Sequence, residues 1–149
     1  MAHLLQLNIP LTLKTNNMNN EFTPYEQALD LKKLGFNEEC LAFYNSTLKT
    51  PNELLYPQYG GEVGNWNVEN HLISAPLYQQ AFRWFREKGY LMSISRKFFR
   101  LDNSIEYNYF ICPPDTNEPI EDNILEEYTI YEEAELACLK KLIEIVKNK

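Results

Sequence analysis

The chain is short of histidine, cysteine and glycine, and each shortage removes a class of chemistry. Its two histidines, His3 and His71, lie far apart, and its three cysteines, Cys40, Cys112 and Cys138, include no C-x-x-C pair. Neither set has metal-ligand spacing, and an odd cysteine count fits no disulfide framework, so reduced thiols are expected. The five glycines form neither G-x-x-x-x-G-K nor G-x-G-x-x-G, which excludes the familiar phosphate-cradling loops. No apolar run approaches the roughly 20 residues that cross a bilayer. The start MAHLLQLNIPLTLK lacks a basic leader and a small-residue cleavage site, so a cytoplasmic protein is expected. No metal, no cofactor and no membrane partner is indicated.

What is present is enough for one folded domain. The chain has 149 residues, 44% apolar and 13% aromatic, with a net charge of −7. That length supports a single core, and that charge opposes polyanions as a default. Residues 1–20 read as an extension or strand followed by an Asn-rich linker. Residues 21–149 read as a single domain.

Thr23-Pro24-Tyr25-Glu26 has the chemistry of a helix start: Thr23 as N-cap, Pro24 first in the helix, and Glu26 closing a capping box. The first helix is expected over 24–34, with Gly35 as its left-handed stop. A short strand is expected over 39–44. Between Thr50 and Ser74, prolines, glycines and asparagines leave room only for a loop with one turn near 53–55. The second helix is expected over 77–88. It puts Leu77, Tyr78, Ala81, Phe82, Trp84 and Phe85 on one side, and Gln79, Gln80, Arg83, Arg86 and Glu87 on the other. Period-two runs over 90–96 and 105–111 predict a hairpin, with Lys97–Arg100 near its tip.

An acidic loop follows, and Thr129-Ile130-Tyr131-Glu132 opens a third helix by the same capping logic. Its predicted face is Tyr131, Ala134, Cys138, Leu142 and Ile145, with Leu136 and Ile143 off that stripe. All three helices begin with Tyr-x-x-Ala. Either this is a weak internal repeat, or each helix independently needs a tyrosine at its start and a small residue where it crosses a neighbour. The fold class is therefore α+β, three amphipathic helices on a small, mainly antiparallel sheet. A winged-helix-like arrangement is the alternative.

The segments TPYEQALDLKKLGFNEECLAFYN, ISAPLYQQAFRWFREKGYLMSI and TIYEEAELACLKKLIEIV resemble a family of short proteins encoded by phages and prophages. The resemblance covers roughly 21–149 and brings no catalytic residues with it. It implies an accessory protein made in the cytoplasm of an infected cell, where such proteins often bind host factors, defence proteins among them.

The strongest functional signal is charge segregation. Residues 77–101 carry Arg83, Arg86, Lys88, Arg96, Lys97 and Arg100 against Glu87 alone. Guanidinium forks beside Phe98 and Phe99 can hold phosphates and stack bases, as a nucleotide ligand or a single strand would require. The plain alternative is a solvated face, or one paired with the acidic 115–135 segment. The 56–70 loop, with Tyr59, Trp66 and Asn67, has the composition of a recognition loop; equally, its aromatics cap the core. The predicted ligand or partner residues are thus Tyr59, Trp66, Asn67, Gln79, Arg83, Arg86, Arg96 and Arg100.

No catalytic residue is assigned. His71 with Cys40 or Cys112 is the one conceivable nucleophilic pair. The expected function is a non-enzymatic binding protein for a host protein or a phosphorylated small molecule such as a nucleotide, with counter-defence as one role. Nucleic-acid binding through the basic 83–100 face is the second reading, and a small enzyme the third. Homo-oligomerisation is left open.

Overall fold

The computed structural model describes residues 19–58, 62–116, 118–120 and 126–149. The expected strand or linker over 1–18, Tyr59, and residues 121–125 of the acidic loop lie outside them. The elements run α1 (Tyr25–Lys33), β1 (Ala42–Asn45), a 3-10 turn (Trp66–Val68), β2 (Leu72–Ala75), α2 (Tyr78–Glu87), β3 (Leu91–Phe99), β4 (Ser104–Cys112) and α3 (Tyr131–Lys147). The fold is α+β. Its strands form two separate antiparallel ribbons, β1–β2 and β3–β4, rather than one small sheet.

α2 buries Tyr78, Ala81, Phe82, Trp84 and Phe85, the face its periodicity predicts. α1 and α2 end alike. Gly35 and Gly89 take φ of 91° and 89°, and each following aromatic sends its N–H back into the last helical turn. Phe36 N donates to Leu31 O at 2.9 Å and Tyr90 N to Phe85 O at 3.1 Å. This six-to-one bond satisfies a carbonyl the helix would otherwise leave bare, and it turns Phe36 and Tyr90 into the core.

The helix starts differ from expectation. Neither Thr23 nor Thr129 caps its helix; Pro24 and Ile130 occupy the cap positions without a side-chain bond. Thr23 is fully buried and its N–H is taken by Pro76 O at 2.8 Å, so the segment is held extended against the approach to α2, and its hydroxyl makes no hydrogen bond among the described residues. The loop reading of 50–74 also missed β2. Its Leu72–Ala75 run pairs with β1 across a long separation that local composition does not report.

α3 crosses β3 and β4 and touches α1 and α2. Its buried stripe is Ala134, Cys138, Leu139, Leu142 and Ile143, so Ile143 belongs inside and Tyr131 is exposed at the end. The rotation follows from packing on two sides, sheet and α1. Lys147 also reaches Asp30 of α1 at 2.7 Å. The main core gathers Phe36, Trp84, Phe85, Ile111, Leu139 and Leu142 between α2, α3 and the β3–β4 base. A smaller one, around Phe22, Ala28, Tyr44 and Ile73, lies under α1 and the first ribbon.

Candidate functional site

The predicted residues separate into three places. Trp66 and Asn67 belong to the loop that closes the first ribbon. Trp66 Nε1 donates to Cys40 O at 3.0 Å, its backbone N–H donates to Ser74 Oγ at 3.0 Å, and its ring lies 4.7 Å from that of Phe43. The Asn67 amide spans two elements, donating to Phe36 O at 2.8 Å and accepting from Ser74 N–H at 2.9 Å. Both side chains are spent on holding the loop, the core-capping reading of this segment.

Gln79, Arg83 and Arg86 recur at helical spacing on the polar face of α2. With Leu77 and Gln80 they line a cleft of about 410 Å³. Arg83 is already engaged: its Nη2 lies 2.7 Å from Glu38 Oε2, and Nε lies 4.0 Å from Glu87. The bond to Glu38 raises the Arg83 pKa further. Gln80 donates to the same Glu38 carboxylate at 3.2 Å and to Glu39 O at 2.7 Å, which ties α2 to the segment before β1. Arg86 is exposed and makes no ion pair among the described residues. Two carboxylates thus offset the two guanidiniums here, which leaves little net field for an anion.

Arg96 and Arg100 lie on the other side of the Gly89 turn and do not line that cleft. β3 carries them outward at about 3.3 Å per residue, past the base where Met92 and Ile94 pack on the core. Neither arginine has an ion pair among the described residues. Around them the distal arm exposes Phe98 at 54%, Phe99 at 40%, Ile105 at 41%, and the whole of Leu101. The tip turns at Asn103, whose φ is 56°, and Asp102 accepts the Ser104 N–H at 2.9 Å. Among the described residues, Lys97 is the one basic residue of the arm that forms an ion pair with the acidic segment, 3.5 Å from Glu127. Leu101 and Ile105 were missed as site residues; the signal was present, since both flank the Asp102-Asn103-Ser104 turn, where an exposed tip is expected to be polar.

Thiol chemistry finds no support at Cys40. Burial, then the Glu38 charge, pushes its thiol up to about 12, and its sulfur lies against Glu38 O and Gln80. Cys138 is pushed to about 12 by burial as well. Such thiols stay protonated and inert. Among the described residues no group of His, Cys, Asp and Glu is placed to hold a metal ion, and no helix is long and apolar enough to cross a membrane.

No protein-family profile, no curated protein and no solved structure matches this chain.

Proposed function

We propose that this chain is a non-enzymatic binding protein whose docking element is the distal β3–β4 arm. The observation that carries the reading is the company Arg96 and Arg100 keep: guanidiniums with no ion pair among the described residues, beside exposed Phe98, Ile105 and Leu101. Aromatics and arginine are the residue types that dominate protein interfaces, and an exposed apolar cluster with a charged rim marks a contact surface. An arm that projects as a ribbon offers area rather than enclosure, which favours a protein over a small phosphorylated ligand. The α2 cleft is the weaker candidate, because Glu38 and Glu87 already occupy Arg83. The resemblance to phage proteins makes host proteins the first outside partners to try.

The test is capture by tagged protein, both of untagged copies co-expressed with it and of host-lysate proteins. The double variant Arg96→Glu, Arg100→Glu is compared with Arg86→Glu on the opposite side of the turn. Capture should fall at least about tenfold in the arm variant and stay unchanged in the control. Equal capture by both variants overturns the reading. Oligonucleotide binding that falls steeply with salt would put nucleic acid in the partner's place.

A further inference from the structure

The arm has a backbone edge as well as side chains, and no described residue pairs with that edge. Three of the four ribbon edges are covered by the chain itself. β1 is met by Leu55 and Cys40 by Gly64, β2 is bonded by Asn67 and Lys32, and β4 is met by Tyr128 and Ile120. Among the described residues β3 pairs with β4 alone.

Bond alternation says which of its groups are bare. Tyr107 exchanges both backbone bonds with Tyr128, at 2.7 and 2.8 Å, on the far side of β4. Tyr107 and its partner Arg96 therefore face each other as a non-hydrogen-bonded pair. By alternation the N–H and C=O groups of Met92, Ile94, Arg96 and Phe98 point away from β4, into the open edge. Natural edges of this length are blunted by proline, a bulge or a free lysine. β3 has no proline, its register with β4 runs unbroken from Leu91 to Phe99, and Lys97 is turned to Glu127.

Resting on the arm as docking surface, we infer that its occupant is a second copy of this chain, paired antiparallel edge to edge through β3 about a two-fold axis at Ser95. Ser95 is the midpoint of β3, so this register uses the whole strand. It sets Ile94 opposite Arg96 and Met92 opposite Phe98, each pair bonding through its bare backbone groups. It also brings Leu91, 61% exposed, against Phe99 of the other copy, and Phe98 against the row formed by Met92 and Ile111. No like charges oppose one another. Moving the axis one residue, to Arg96, would set guanidinium against guanidinium, a directly destabilising cross-strand pair. The β4-β3-β3-β4 sheet that results has its edges already covered.

The experiment is sedimentation of the full chain together with disulfide trapping. The native protein should be a dimer. Arg96→Pro removes an N–H that the β3–β4 ladder does not use, and should raise the dimer dissociation constant at least about tenfold while circular dichroism stays native. Ser95→Cys faces its own copy as a non-hydrogen-bonded pair, with Cα atoms about 4.5 Å apart, and should give a disulfide joining position 95 to position 95. Ser93→Cys, which lies opposite Lys97, should not cross-link to itself. A native monomer, or a dimer in which Cys at 95 stays reduced under oxidation, overturns the inference. If self-association is absent while lysate capture is lost in the Arg96→Glu, Arg100→Glu variant, the second copy is wrong and the docking arm stands. If both are absent, both fail.

Discussion

The α1–β1–β2 half and the α2–β3–β4 half are built to one plan and finished differently. Each opens with Tyr-x-x-Ala, buries the alanine completely, ends its helix on a left-handed glycine, tucks the next aromatic into the core and then forms an antiparallel ribbon. Tyr25, Tyr78 and Tyr131 are also evenly spaced, so the third helix starts where a further half would. In the first half the ribbon is four residues per strand, and the long connection folds back over its edges. In the second it is nine per strand with a tight turn, and no described residue returns to pair with the outer edge of β3. One half uses its loop to close itself, and the other leaves backbone, aromatics and arginines for something else to close.

The shared helix stop is the sharpest place to separate the halves. A Cβ at Gly35 meets nothing within 4 Å, whereas one at Gly89 comes within 2.8 Å of Pro114 Cβ. Gly35→Ala should cost only the left-handed strain, about 1–2 kcal/mol. Gly89→Ala adds a clash with the chain leaving β4 and should cost about 2–4 kcal/mol by urea denaturation. Equal costs would mean that the close approach at Gly89 is not tight.

One clamp in the closure of the first half is an ammonium on three carbonyls. Lys32 Nζ donates to Glu69 O and Leu72 O, both at 2.6 Å, and to Asn70 O at 3.3 Å. Lys32→Met leaves those carbonyls to solvent and should cost about 1–2 kcal/mol. Amide exchange should quicken around 69–74 and stay unchanged in β3 and β4. An effect spread over both halves would mean that the two ribbons are not closed separately.

The smallest effect concerns the third helix start. Burial, then the charges of Glu21 and Glu132, pushes the Glu135 carboxyl up to about 7. A carboxyl with a folded pKa above its unfolded value binds more protons folded than unfolded, so stability falls as pH rises from about 4.5 towards 7. Glu135→Gln should match the native protein near pH 4 and exceed it by about 0.5 kcal/mol at pH 8, after solvent screening of a half-exposed site. Thermal melts across that range show whether the native slope is lost.

Much of the local structure was legible because its causes are local. The buried face of α2 follows from side-chain spacing, the stops at Gly35 and Gly89 from the freedom of glycine at positive φ, and the hairpin from period-two runs around Asp102-Asn103. The failures share a cause of the opposite kind. Thr23 carries the residue pattern of a cap, yet its backbone is claimed by Pro76, far along the chain. Asn67 has the composition of a recognition residue, yet its amide joins Phe36 to Ser74. In the candidate site, charge segregation singled out the basic stretch as a whole. It could not reveal that the turn at Gly89 parts Arg83 and Arg86 from Arg96 and Arg100.

The sequence by itself determined where helices and the long hairpin form and which sides of them are apolar, since periodicity, glycine and turn residues act over a few neighbours. Only the tertiary structure decided which edges are covered, which arginines meet glutamates and which stay bare. Those outcomes depend on which distant segments come to lie beside one another.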